Sequence, residues 1–301
     1  MRLNGFIATD NLRSRRRGQV VRRQTANLLF VGSIPTGASL TISLSFHADG
    51  YRPGTRHRPH SHNELHFSLV LRGHVTETVG RGIEHAGPLS VVAKDPGVVH
   101  ANDFGTDGAR LARLILPSDS LGSLIDDRSR SPGWKWTHDA RVANPFLRLV
   151  ARGKAGETAF TSDDADLLDL LAAFTARPVA ATRGCPPMWL EQTMRELRES
   201  WHPGLSVADV AGRAGVHPVY LARCVRRWFG TCLGQELRRL RMQSATAALM
   251  RTGGTVSRVA HGAGFADEPH FCREFRRAVG VTPRKYRTLV REMTYTWRGR
   301  S

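Results

Sequence analysis

The chain of 301 residues has no apolar run approaching the ~18 residues of a membrane-spanning helix. Its N-terminus also lacks the apolar core of a secretory signal, so a cytoplasmic protein without a membrane partner is expected. Cysteine is scarce. Cys185, Cys224, Cys232 and Cys272 are the four, and no two form a C-x-x-C pair. That argues against a disulfide framework or a zinc ribbon and for reduced, buried thiols. Acidic residues are few beside basic ones: 26 Asp and Glu against 44 Lys and Arg give a formal charge of +18 and a pI near 11.2. The apolar fraction, 41%, is ordinary, which suits a folded chain rather than a disordered one. Such a length allows about two domains, each with its own core.

Charge is spread unevenly. Residues 188–301 carry about +11, residues 1–40 about +6, and the stretch between only about +1. A basic domain beside a nearly neutral one predicts phosphate contacts and counterion release on a polyanion.

Residues 1–40 fit neither domain. "RSRRRGQVVRRQTANLLFVGSIPTGAS" keeps no helical or strand period. It reads either as a basic disordered arm that touches DNA or as the product of a misplaced start. "GSIP" can be encoded by GGT-TCG-ATT-CC, the form of a transfer RNA T-arm, and no methionine lies between Met1 and Met188. A GTG or TTG start near Leu40 is the favoured expectation, and residues 1–40 are left out of the fold reasoning.

From Leu40 the pattern becomes short alternating apolar runs: "LTISLSF", "LHFSLVLRG", "VTETVG", "LSVVA" and "ARLARLILP". Gly73, Gly80, Gly87, Pro88, Pro96 and Gly97 punctuate them, as in a barrel or jelly roll. His60, His62, His66 and His100 are set into this region, whereas His47, His57, His74 and His85 are expected on loops or strand ends.

These residues resemble a cupin. Gly54, His60, His62, His66 and Gly73 follow the first cupin motif, and "PGVVHAN", Pro96 to Asn102, resembles the second with His100 in the ligand position. The family usually has Glu where His66 stands, although Glu64 lies two residues earlier. The resemblance implies one of three uses for His60, His62, His66, His100 and Glu64. They hold a divalent transition metal such as Zn, Fe, Ni or Cu, they line a metal-free pocket for a small-molecule effector, or they sit in a purely structural barrel. No cofactor is required by this reading.

Residues 118–186 read as a helical connector and linker. A turn-rich loop precedes "NPFLRLVARG" and "TSDDADLLDLLAAFTARP", and "ARPVAATRGCPP" lacks periodicity. Beyond it comes a repeat. "GVHPVYLARCVRRWFG", residues 215–230, returns in "GFADEPHFCREFRRAVG", residues 264–280. Arg223 aligns with Arg273, Leu221 with Phe271, Val225 with Phe275, and Arg226-Arg227 with Arg276-Arg277. Each copy follows a short helix ("LSVADVAGRA", "TVSRVAHGA") and opens on a glycine turn. Helix, glycine turn, helix is the geometry of a helix-turn-helix, whose second helix enters the major groove. The spacing predicts recognition helices from about Pro218 to Phe229 and from about Glu268 to Val279. A helix expected from about Leu233 to Arg251 would separate them by about 28 Å, close to the ~34 Å between successive major grooves.

At this point the chain resembles an AraC/XylS-type transcription regulator. "LSVADVAGRAGV", "YLARCVRRWFG", "LRRLRMQSATAALM" and "VSRVAHGAGFADEPHFCREFRRAVGVTPRKYR" carry the likeness, and a cupin-like sensor ahead of them is the family's usual arrangement. By position, the resemblance assigns Val219, Ala222 and Arg223 to the groove from the first copy and Glu268, His270 and Arg273 from the second. Arg226, Arg227, Arg276 and Arg277 are assigned to phosphates. His217 stands where Ser or Thr usually caps the first recognition helix, which leaves that cap open.

The expected fold is therefore α+β. A cupin-like β-barrel at 41–117 precedes the connector at 118–186, an all-α domain with two helix-turn-helix motifs at 187–290, and a tail at 291–301. The resemblance implies a one-component regulator with no enzymatic activity, and activation rather than repression. Its partners would be double-stranded DNA, an unknown small-molecule effector, RNA polymerase if it activates, and a second copy of the chain as a homodimer. The competing expectation is a metal-dependent cupin enzyme with an appended DNA-targeting domain. It lacks an evident acid–base partner beyond Glu64.

Overall fold

A computed structural model describes residues 41–117, 132–175, 185–251 and 254–298. The expectations for residues 1–40, for the loop opening the connector and for most of the linker lie outside the described residues.

The N-terminal half is built from β1 (Thr41–Ser43), β2 (Ser45–Tyr51), β3 (Thr55–His60), β4 (Leu65–Gly73), β5 (Val75–Val79), β6 (Gly82–Ala86), β7 (Val91–Lys94), β8 (His100–Phe104) and β9 (Ala109–Leu116). The connector adds β10 (Trp134–Thr137), α1 (Ala140–Lys154), β11 (Ala159–Thr161) and α2 (Ala165–Thr175). The C-terminal half holds α3 (Met188–Glu199), α4 (Val207–Arg213), α5 (Pro218–Phe229), α6 (Leu233–Leu249), α7 (Val256–Gly262), α8 (Glu268–Val279), α9 (Pro283–Glu292) and β12 (Thr296–Arg298).

Strand alternation sorts the side chains into two layers. On β4, Leu65, Phe67, Leu69 and Leu71 join the core beneath α1 and α2, while His66 and Ser68 face the opposite sheet. β9 does the same with Ala112, Leu114 and Leu116 on one face and Leu111, Arg113 and Ile115 on the other. Both strands are thus covered on both sides, which explains why β4 is buried at every position but Arg72.

The expected barrel is not closed. A six-stranded sheet, β10-β7-β4-β9-β2-β12, faces a four-stranded one, β3-β8-β5-β6, and β1 pairs with β11 alone. The edges of the larger sheet are taken by β10 beside β7 and by β12 beside β2, so neither edge is left to join the smaller sheet. The domain expected at 187–290 is helical throughout among the described residues, and the tail beyond it supplies β12. "LTISLSF" is likewise two strands rather than one, broken at Leu44, whose N–H donates to Thr158 O at 2.9 Å.

The helical half contains two cores. Leu190, Met194, Leu197, Val210, Leu221, Val225, Leu233 and Leu240 close around the first helix-turn-helix. Phe265, Phe271, Phe275, Val279, Tyr286 and Val290 of the second share one cluster with Phe67, Leu69, Phe146 and Leu149 of the N-terminal half. The Tyr286 hydroxyl, fully buried, donates to Leu71 O at 3.0 Å across that boundary. α6 is shorter than expected, ending at Leu249, with Leu233 and Leu240 in one core and Met242, Ala245 and Leu249 in the other.

Candidate functional site

Between the two sheets lies a cavity of about 590 Å³. His60 ends β3 and His100 opens β8, and the antiparallel register sets them opposite each other with ring centroids 4.4 Å apart. His60 Nδ1–H donates to Arg58 O at 2.8 Å and His100 Nδ1–H to Val98 O at 3.0 Å, which leaves each Nε2 with its lone pair. With His62 they bring three ring nitrogens within 4.8 Å of one another. His66 stacks on His62 at 4.2 Å, and its buried Nε2 has no hydrogen-bond partner. Glu64 reaches within 3.6 Å of that nitrogen from a half-exposed position at the rim.

All five sequence-selected residues therefore line one cavity, although only three of the histidines have ring nitrogens clustered closely enough to share an ion. Burial, then neighbouring cations and imidazoles, lowers His62 to about 4, His66 to about 3 and His100 to about 4. These rings are neutral at pH 7, the form that ligates metals and accepts hydrogen bonds.

Sequence reading missed the rest of the cavity. Lys94 donates to Glu77 at 2.7 Å and to His100 Nε2 at 3.2 Å. Trp134, Trp136 and Asn102 also donate to Glu77, at 2.7, 2.9 and 2.9 Å. Burial alone would raise Glu77, but the ammonium and these donors hold it below the usual carboxylate range. His57, expected on a loop or strand end, lies within β3 and lines the cavity, edge-on to Tyr51 and Phe104, which stack at 3.7 Å. Asp49, 1% exposed, accepts from Arg113 and from Arg298. Long-range pairing creates these contacts, and no local pattern announces them.

The repeated C-terminal units show why glycine recurs. Gly215 and Gly264 turn between helices at φ of 64° and 77°, and Gly230 and Gly280 end the second helices at φ of 66° and 81°. All four occupy the left-handed region that other residues adopt at a cost. Ser206 forms a capping box with Asp209, and Asp267 caps α8 by accepting from His270 N at 2.6 Å. His217 does the work of the usual hydroxyl: Val219 N donates to its Nδ1 at 3.3 Å.

On α5, Leu221 and Val225 face the core, while Val219, Arg223, Arg226 and Arg227 are exposed and Ala222 is half-buried. On α8, Phe271, Phe275 and Val279 are buried, Arg273, Arg276 and Arg277 exposed, and Glu268 and His270 half-buried. Glu268 lies 3.9 Å from Arg284, His270 is edge-on to Phe265, and Arg277 pairs with Glu274. Tyr220, 50% exposed beside Val219, is an aromatic on this face that sequence reading passed over.

Residues 44–171 match the AraC-like ligand binding domain, and residues 210–288 match a helix-turn-helix domain. The chain belongs to the AraC family. Among its AraC-family relatives, the regulatory protein PocR of Salmonella typhimurium is 27% identical over 116 residues, 38% of either chain. The HTH-type transcriptional regulator ArgR of Pseudomonas aeruginosa is 24% identical across 90% of this chain and 98% of its own. Among solved structures, the C-terminal domain of AraT from Geobacillus stearothermophilus is 25% identical, covers 36% of this chain and 88% of its own, and has a TM-score of 0.32. The matches to PocR and to the Bacillus subtilis regulator YisR span 38% and 34% of those proteins.

Proposed function

We propose that this AraC-family chain is an effector-responsive, sequence-specific transcription regulator that binds double-stranded DNA through two helix-turn-helix units. The observation that carries this is the repeated face itself. α5 and α8 present arginines at equivalent exposed positions on helices whose opposite faces are buried. Arg223 and Arg273 suit bidentate contact with guanine, Glu268 can accept from cytosine N4, and Val219 or Ala222 can touch a thymine methyl. Arg226, Arg227, Arg276 and Arg277, all exposed, suit contacts with phosphates. The cavity between the sheets is the effector site, its neutral imidazoles and fixed cations supplying directional contacts in a partly apolar space.

The regulator acts in the cytoplasm, as an activator that contacts RNA polymerase, and pairs with a second copy. No helix among the described residues is long and apolar enough to cross a membrane. Binding of the full-length protein to its own upstream DNA and to a scrambled duplex, across about 50–300 mM salt, tests the central claim. Preference for the upstream DNA that persists as salt rises is expected. Equal affinities falling with one steep slope would reduce the protein to a phosphate binder.

A divalent transition metal is a second occupant of the same cavity that the donor set favours. His60, His62 and His100 would hold it by neutral ring nitrogens, with backbone carbonyls fixing two of the rings and His66 Nε2 nearby. The ion would supply Lewis acidity and a charged anchor for an effector. It would have to displace Lys94 from His100, since the ammonium already uses that lone pair. Calorimetric titration with Zn²⁺ or Ni²⁺ should show one site that is lost in His60→Ala and His100→Ala. Unchanged uptake in those variants would refute it.

A further inference from the structure

Among the described residues, Arg298 is the one cavity-lining residue that comes from the C-terminal half. After α9 the chain turns and enters β12, which pairs parallel with β2: Thr296 with Asp49, Trp297 with Gly50 and Arg298 with Tyr51. Three features seat it there. A Cβ on Gly50 would lie 2.7 Å from the Trp297 ring, so the indole rests closer to the strand than any side chain would allow. The Arg110 guanidinium stands 4.8 Å from the Tyr295 ring centre and 5.6 Å from that of Trp297. Arg298 Nε donates to Asp49 Oδ1 at 2.9 Å, and the other Asp49 oxygen accepts from Arg113 on β9.

One buried carboxylate thus joins an arginine of the sensor sheet to an arginine of the DNA-reading half. Two guanidiniums sharing one carboxylate leave a positive charge at this end of the cavity. Each guanidinium has five N–H donors in a planar fork. Across the lining, Arg58, Lys94, Arg113 and Arg298 stand against Glu64 and Glu77, with Asp49 behind the last two arginines. The end beside Tyr51 and His57 is therefore built to receive an anion.

We propose that β12 is a wall of the effector cavity supplied by the DNA-reading half, and that Arg298, together with Arg113, binds an anionic group of the effector, a carboxylate or a phosphate. This rests on the effector-site reading above. A ligand held by Arg298 binds only where the tail is docked, so occupancy and docking strengthen each other by the same factor. The cavity then reports its state to the DNA-reading half through the backbone that follows α9.

Hydrogen exchange of the full-length protein, followed by mass spectrometry, tests this with benzoate and inorganic phosphate as separate probes at constant ionic strength. In the wild type, either anion at ten times its dissociation constant should slow exchange of the 293–298 peptide by about tenfold. Arg298→Gln should abolish that protection and weaken binding, and Arg298→Lys should restore part of it. Gly50→Val should speed tail exchange with no anion present, while β4 stays protected as a control for folding. Protection of β3 and β8 without any change in the tail, or undiminished binding in Arg298→Gln, would overturn the proposal and leave the effector site standing. No protection of any cavity strand by either anion would overturn the anionic assignment as well, and the DNA selectivity described above would remain as the separate measure of the regulator reading.

Discussion

The two C-terminal glycines of the repeat make a controlled experiment. Gly230 and Gly280 end equivalent helices at nearly the same φ, 66° and 81°. Replacing either by Ala forces a β-carbon into the left-handed region, at about 1–2 kcal/mol. At Gly230 that is the whole cost, because a Cβ there meets nothing within 4 Å. At Gly280 the same atom would lie 1.8 Å from Asn144 Oδ1 and 2.3 Å from its Cγ, on α1 of the sensor half. Overpacking of a tight contact costs about 1–3 kcal/mol more, so Gly280→Ala should lose about 2–5 kcal/mol in all. Asn144 Oδ1 is buried without a hydrogen-bond partner, and Asn144→Ala removes every atom in the clash. A cycle of Asn144→Ala, Gly280→Ala and the double variant should therefore show a coupling of about 1–3 kcal/mol. Denaturant unfolding read by hydrogen exchange of α1 and α4 separates the two cores. Equal losses at Gly230 and Gly280, or a coupling below about 0.5 kcal/mol, would refute the close docking of α8 on α1.

Arg223→Ala or Arg273→Ala should cost about 1–3 kcal/mol at one base position and relax selectivity there, measured by competition binding against single-base variants of the upstream DNA. Arg226→Ala or Arg276→Ala should weaken all sequences alike and reduce the salt slope by about 1. Lys94→Met strands the buried Glu77 carboxylate and should cost about 3–5 kcal/mol in denaturant unfolding, while Lys94→Met with Glu77→Gln recovers much of it. His62 and His100 fall from 6.5 to about 4 on folding. The unfolded chain therefore takes up their protons first, and stability should drop as pH falls from about 6.5 toward 4, with a flatter slope in His62→Gln or His100→Gln.

Much of the doubled helix-turn-helix was legible because its determinants are local. A glycine turn, an apolar residue at each core position and paired arginines in fixed register all lie within one short window, and the predicted spans Pro218–Phe229 and Glu268–Val279 coincide with α5 and α8. The His217 cap was not legible. An imidazole accepts from the backbone as a hydroxyl does, but the residue type does not advertise it. The cavity was legible only in His60, His62, His66, His100 and Glu64. Glu77 sits in "VTETVG" where alternation puts a polar residue anywhere, and its burial depends on Trp134 and Trp136 arriving from a strand more than fifty residues away. β12 escaped for the opposite reason. Three residues, "TWR", cannot display a period, and their strand exists only because the edge of β2 is there to pair with.

The division of the cores bears on how such a chain could respond to a ligand. If both helix-turn-helix units stood free of the sensor, cavity occupancy would reach neither through packing. If both were fused to it, their spacing would be set once and for all. Here the second unit shares the sensor's core, and the first has a core of its own. α6 crosses from one to the other, and Gln243 sits at the crossing. Gln243 Nε2 donates to Ser90 Oγ at 3.1 Å, the Ser90 hydroxyl donates to His138 Nδ1 at 2.8 Å, and His138 Nε2–H donates to Glu84 at 2.9 Å. Ser90 immediately precedes β7, the strand that carries Val92 and Lys94 into the cavity. Arg239, one turn earlier on α6, donates to Gln243 and to Glu236, which also accepts from Arg198 of the first unit. These hydrogen bonds tie β7 to α6, so a shift of β7 would bear on the angle of the helix that spaces the two recognition helices. Because the groove separation on DNA is fixed, a small change in that angle would alter the fraction of molecules able to engage both grooves at once, a population shift that this architecture permits.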